Sequence, residues 1–216
     1  AGIKAITGGD AVAIDPKYRD AYAAHIPAVI LAVNNNPMQF SDRSGGISRR
    51  RVILPFPEAI APEERDPLLL AKITEELAVI VRHLMQRFVN PNDARALLQA
   101  QQSSAEALEI KRHADPLVDF CGYLTVLGTP EGMMIGNANI TPPNPRRYLY
   151  HAYLSFMAAR GYQHVMNLTA FGQAVPQTLK EYEHTLLKRR TKQGIQTNLI
   201  LSEECEADWL PKCGAV

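Results

Sequence analysis

Residues 144–201 read NPRRYLYHAYLSFMAARGYQHVMNLTAFGQAVPQTLKEYEHTLLKRRTKQGIQTNLIL, and this stretch decides the fold. Asn144-Pro145 is a helix start, an N-capping residue followed by Pro at the first helical position. Leu149, Tyr153, Phe156 and Met157 fall on one face of the predicted helix, and Gly161 stops it. Asn167-Leu168-Thr169 opens another helix, whose interior Pro176 is expected to kink or split it. Two β-type runs follow, 185–190 and 195–201, flanking Thr191-Lys192-Gln193-Gly194. That pattern predicts a hairpin.

Working outward on the N-terminal side, residues 116–124 predict a short helix, and 125–135, broken by Gly128 and Pro130, a loop or short strand. Three helices and then a basic-tipped hairpin is the order of a winged helix-turn-helix. Trp209 is expected to pack the tail against this unit. The pattern resets at His113-Ala114-Asp115-Pro116, where we place a domain boundary. Before it, Leu69, Ile73, Leu77, Ile80, Leu84 and Phe88 recur at three- and four-residue steps, so residues 66–88 predict an amphipathic helix. Pro91 and Asn92 end it, and residues 93–112 predict a second, more polar helix.

Charge separates the same regions. The 216 residues carry a net charge of +1, but residues 141–200 hold 8 Lys or Arg against 2 Asp or Glu. Residues 101–140 and 201–216 are each acidic, at −3. A local basic block attracts phosphate even in a near-neutral chain. Hydrophobic residues at 46% and charged residues at 21% exclude a disordered chain or a rod. No apolar stretch approaches the ~18 residues of a membrane span. Cys121, Cys205 and Cys213 are too few and scattered for a disulfide framework or zinc site, and His83 and His113 have no partners at metal spacing. No metal site is expected, and a reducing, cytoplasmic setting is.

The N-terminal part holds three motifs. Residues 4–10 read Lys-Ala-Ile-Thr-Gly-Gly-Asp, whose paired glycines suit a tight turn or a close approach to phosphate. The apolar run 27–33 predicts a strand buried on both faces, ended by Asn34-Asn35-Asn36-Pro37. Arg49-Arg50-Arg51 precedes a second predicted strand, 51–56. Taken singly, each is also an ordinary turn, cap or solvated basic patch.

In this order and spacing they resemble the superfamily-three helicases, in the phage and plasmid primase–helicase branch, and specifically the alpha-type replication proteins of satellite phages. The basic C-terminal unit resembles the origin-binding domain of the same proteins. The resemblance implies an α+β chain: the C-terminal part of a truncated AAA+ helicase core over residues 1–90, a helical linker over 91–114, and a winged-helix origin DNA-binding domain over 115–216. It implies a pore hairpin over residues 4–18 with Lys17 as a DNA contact, Asn34 as phosphate sensor, and Arg49 or Arg50 as the finger reaching a neighbouring subunit's ATP, with Arg51 a less favoured substitute.

The family's phosphate-cradling Gly-x-x-x-x-Gly-Lys-Ser/Thr loop and Mg²⁺-holding acidic strand do not occur in the 216 residues. The chain is therefore expected to be a piece of a longer protein. It is expected to need no cofactor and to turn over no ATP alone, while the parent hexamer uses ATP and Mg²⁺. The expected partners are double-stranded origin DNA and, in the parent, further copies of the chain, with no membrane.

For DNA contact, the groove helix is placed at residues 167–182, with Thr169, Gln173, Gln177, Thr178 and Lys180 toward the DNA. Gln173 and Gln177 are the base readers. Lys188, Arg189, Arg190 and Lys192 on the hairpin are placed for backbone or minor-groove contact, and Arg146 and Arg147 at the preceding helix start for phosphate contact. There are two other readings. One is a phage-type transcriptional regulator placing its winged helix on an operator. The other is a structural module whose helices 66–112 serve only in assembly.

Overall fold

The computed structural model describes residues 2–38, 50–202 and 209–210. The chain is α+β, and it divides into two units, Ala1–Arg50 with Glu109–Val216, and Arg51–Leu108.

At the N-terminus, α1 (Gly2–Gly8) leads through Gly9 and Asp10 into an antiparallel hairpin of β1 (Ala11–Ile14) and β2 (Tyr22–His25). Gly9 takes φ +75°, which only glycine adopts freely. The His25 Nδ1–H donates to its carbonyl over 2.9 Å, closing the base of the hairpin. Residues 27–33, expected as a buried strand, join no ladder among the described residues, and Val29, Leu31 and Val33 are exposed. A strand of that kind needs hydrogen-bonded neighbours on its edges and cover on both faces. Apolar composition alone supplies neither.

The Arg51–Leu108 unit is helical. The expected strand 51–56 is instead irregular, and the Gln101 side chain donates to the Ile53 carbonyl over 2.9 Å. α2 (Leu69–Arg87) follows the predicted period. Asp66 secures its first turn, accepting from the Leu68 N–H at 2.9 Å and from Lys72 at 2.6 Å. The Lys72 bond, with that from the Leu68 N–H, lowers the Asp66 carboxyl below its ordinary range. α2 contributes no buried side chain. α3 (Pro91–Gln102) begins at Asn90, whose side chain accepts from the Asn92 N–H, with Pro91 in the first turn. The predicted single helix 93–112 is two, because Ser103 and Ser104 end α3 and α4 (Ala105–Ala114) starts afresh. The Ser104 hydroxyl accepts from the Ala107 N–H.

The apolar core belongs to the C-terminal part. α5 (Pro116–Cys121), capped by Asp115, α6 (Leu149–Ala159) and α7 (Leu168–Thr178) bury Leu117, Phe120, Leu149, Tyr153, Phe156, Phe171 and Val175. Phe120 is the hub, with its ring 5.6–6.3 Å from those of Tyr153, Phe156, Phe171 and Trp209. Trp209 is 4% exposed and meets Tyr123 and Phe156 edge-on. Among the described residues two antiparallel sheets complete this C-terminal part: β3 (Leu124–Val126) with β6 (Leu199–Leu201), and the hairpin β4 (Lys188–Thr191) with β5 (Gly194–Thr197). Among the described residues no helix is long and apolar enough to cross a membrane.

Candidate nucleic-acid interface

α7 starts where Asn167 predicts, with the Asn167 side chain accepting from the Ala170 N–H at 2.9 Å. Pro176 does not split it. The helix runs two residues further, then tightens into a 3-10 turn at Leu179–Tyr182. Phe171, Ala174, Val175, Thr178 and Leu179 face the core. On the opposite side Thr169, Gln173 and Lys180 are exposed and Gln177 is half-buried. Spacings of four, four and three residues put these four on one face. Thr178 does not belong with them. Its side chain is buried, and its hydroxyl donates to the Ala174 carbonyl over 3.1 Å, so the core rather than the surface claims it. Gly172 lies beside this stripe, with nothing within 4 Å of where a Cβ would stand.

The hairpin holds its basic residues in the register the sequence suggests. Arg189 pairs with Gln196 and Arg190 with Ile195, while Thr191 and Gly194 close the turn around Lys192 and Gln193. The Thr191 hydroxyl bonds the Gly194 carbonyl at 2.9 Å and accepts from the Gln193 N–H. Lys188, Arg189, Arg190 and Lys192 are all exposed. Alternation along a strand sends Lys188 and Arg190 to one face, and Arg189 with Thr191 to the other. Arg189 donates to the Gln196 side-chain oxygen over 3.0 Å.

Residues that no local pattern reveals fix this hairpin to the body. Asn198, 1% exposed, accepts from the Leu187 N–H at 2.8 Å and donates to the Leu127 and Thr185 carbonyls at 3.0 and 3.1 Å. Thr197 is fully buried and donates to the Met133 carbonyl at 2.8 Å. Residues 132–135 run beside β5 and the start of β6: the Gly132 N–H bonds the Thr197 carbonyl, the Met133 N–H that of Leu199, and the Ile135 N–H that of Ile195. A Cβ on Gly132 would collide with the Leu199 carbonyl oxygen, so glycine permits the approach.

The other edge of the 132–135 segment carries the second basic cluster. The Met134 N–H bonds the Arg147 carbonyl, and the Leu149 and Tyr150 N–H groups bond the Met134 and Ile135 carbonyls. This corrects the expected helix start. Asn144 caps a turn, its side chain accepting from the Arg146 and Arg147 N–H groups, but Tyr148 is drawn into an extended bridge with Met134. α6 begins only at Leu149, with its first N–H groups satisfied by the 134–135 backbone rather than by a side chain. Buried His151 locks the turn. Its Nε2–H donates to the Asn137 carbonyl at 2.7 Å, and its Nδ1 accepts from the Asn144 N–H at 2.9 Å. Arg146 and Arg147 are exposed, and Arg147 donates to the Gln193 side chain at the hairpin tip over 3.0 Å.

Two ion pairs brace the body. Lys111, 4% exposed, meets Glu181 at 2.9 Å, and Arg112 donates to Asp119 through Nε and Nη2. The Tyr182 hydroxyl donates to the Val118 carbonyl. Burial first, with nearby carboxylates adding and Arg112 opposing, pushes its pKa well above the ordinary phenol value.

The N-terminal candidates stand apart from these clusters in the sequence. Lys17 is exposed in the β1–β2 loop, its ammonium 4.9 Å from the ring centroid of Tyr18, which holds φ +65°. Asn34 is exposed in an irregular stretch, and Arg50 is exposed. Arg49 lies outside the described residues.

Residues 112–211 match the family described as Poxvirus D5 protein-like. Among solved structures, the chain is similar to that titled "Crystal Structure of the Phage P4 Origin-Binding Domain", at 57% sequence identity over 46% of this chain and 99% of that one, with a TM-score of 0.45. Sequence identity over essentially the whole of that domain carries the kinship. The chain therefore belongs to the family of the phage P4 origin-binding domain.

Proposed function

We propose that the C-terminal unit recognises origin duplex DNA in a phage replication protein, and that it does so as a winged helix. The observation that carries the reading is the 57% identity to a domain whose title names origin binding, together with a family match that falls on residues 112–211. The local structure supports it. The order α5, β3, α6, α7 and then a hairpin whose following strand returns to pair β3 is that of a winged helix-turn-helix. In this reading α7 enters the major groove, Gln173 and Gln177 bond base edges, Thr169 and Lys180 flank them, and the hairpin cations hold the backbone.

The test uses the full chain on duplex DNA. Substituting Lys188, Arg189, Arg190 and Lys192 together by Ala is expected to weaken binding to all sequences and to flatten its salt dependence. The log–log slope should fall by about 0.9 for each phosphate no longer neutralised. Gln173→Ala or Gln177→Ala is expected instead to erode preference for the cognate site, by about 1–3 kcal/mol for each bidentate base pairing removed. Binding that survives removal of all four hairpin charges contradicts the assignment.

The N-terminal residues support a further reading, drawn from the helicase resemblance. Asn34 senses the γ-phosphate and Arg49 or Arg50 acts as the finger in a hexameric, ATP- and Mg²⁺-dependent helicase of which this chain is a portion, with Lys17 reaching DNA in the pore. In such an intact hexamer Arg50→Ala is expected to slow ATP hydrolysis at least tenfold, an arginine finger being worth about 10³–10⁵ in rate elsewhere. Unchanged turnover in both the Arg49→Ala and Arg50→Ala hexamers would exclude the role.

A further inference from the structure

The 132–135 segment holds the capped turn on one edge and the hairpin on the other, and between turn and hairpin tip lies an open groove of about 580 Å³. Arg146, Arg147, Lys192 and Gln193 line it, with Met134 and Gln196 among its other residues. Three cations thus line it from two chain segments more than forty residues apart, and the backbone that carries them is fixed on both sides, at the hairpin tip by the Thr191 hydroxyl. The Asn144 side chain fixes the backbone of both arginines, and His151 fixes Asn144. Arg147 gives one N–H to Gln193 and lies 5.4 Å from the centroid of the Tyr148 ring, which leaves further guanidinium donors for an oxyanion. Glu131 is the one acid among the described lining residues.

We infer that this groove is a preformed clamp for a single phosphodiester of the DNA backbone, gripped by Arg146 and Lys192 with Arg147 positioned by Gln193. The inference rests on the DNA-binding reading and narrows it. Lys188 and Arg190 project from the hairpin face opposite Thr191 and Gln196, which line the groove, so they serve other phosphates. Glu131 repels a bound phosphate and so lowers the affinity of the clamp.

The experiment places one neutral methylphosphonate linkage at each position of a duplex in turn and measures full-chain affinity. Three proteins are compared: the unsubstituted chain, Arg146→Ala/Lys192→Ala, and Lys188→Ala/Arg190→Ala. All these residues are exposed, and Trp209 fluorescence verifies that each variant is folded. One linkage is expected to cost the unsubstituted chain about tenfold, to cost the first variant nothing, and to keep its full penalty in the second. Glu131→Gln is expected to tighten binding severalfold at low salt. The inference is overturned if every linkage penalty persists in Arg146→Ala/Lys192→Ala, or if the two double variants abolish the same penalty. It is also overturned if pyrophosphate saturates the groove without displacing DNA, since the anion would then come from a free phosphate source. Duplex binding with unaltered penalties refutes the clamp alone, whereas absence of any duplex binding refutes the DNA reading and the clamp together.

Discussion

Replacing Asn198 by Ala tests whether the hairpin is held by one buried side chain. The amide makes three hydrogen bonds, to the Leu187 N–H and to the Leu127 and Thr185 carbonyls, and so ties three chain segments together. A net hydrogen bond contributes about 1 kcal/mol, and a partner left dry in the core costs about 1–3 kcal/mol. Leu187 and Thr185 are exposed residues and Leu127 is half-buried, so the lower figure is taken for each of the three bonds. The expected loss is therefore about 3 kcal/mol. Trp209 is the only tryptophan in the 216 residues and sits in the core built on Phe120, so urea unfolding followed by its fluorescence reports this unit. Asn198→Asp is the sharper variant. It keeps an acceptor for Leu187, but it removes both donors and buries a charge. It is expected to be at least as unstable as Asn198→Ala. A loss below about 1 kcal/mol for Ala, or near-native stability for Asp, would refute the reasoning.

Gly132→Ala is expected to cost about 2–3 kcal/mol in the same assay, because the added methyl meets the Leu199 backbone rather than a side chain that can move. Gly172→Ala should act in the opposite sense. Its Cβ points into open space, so helix propensity predicts a gain of up to about 1 kcal/mol, while affinity for origin DNA falls if the α7 backbone approaches the groove there. Tyr182 titrates higher in the fold than in the unfolded chain, so its contribution is complete below the unfolded phenol value near 10 and is lost as pH rises through the folded value. Stability is accordingly expected to fall more steeply above about pH 10 in the unsubstituted chain than in Tyr182→Phe, read as urea midpoints across that range.

What the sequence displays of this fold is what repeats within a few residues. The three- and four-residue period gives α2, Asn167 gives the start of α7, and Thr191-Lys192-Gln193-Gly194 with its flanking β-type runs gives the β4–β5 hairpin. The cap signal at Asn144-Pro145 is real but governs only one turn, since the bridge from Tyr148 to Met134 overrides it. The run 27–33 has the composition of a strand without the neighbours that make one. Asn198, Thr197 and Gly132 are invisible in the sequence for a related reason. Their bonding partners lie up to about seventy residues away, and nothing in their own neighbourhood marks them. The exposed face of α7 is legible except at Thr178, where a polar side chain takes a core position by bonding its own helix.

Origin recognition is tested most directly by competition titration of the full chain. A labelled duplex carrying the replication origin of the replicon that encodes the protein is challenged with unlabelled origin and with a scrambled duplex of equal length and composition. The titration is run at two salt concentrations. The account predicts a preference for origin DNA of at least about 10³, the lower end for sequence-specific binders, with binding to both duplexes weakening as salt rises. Equal competition by the scrambled duplex at both salt concentrations would contradict it.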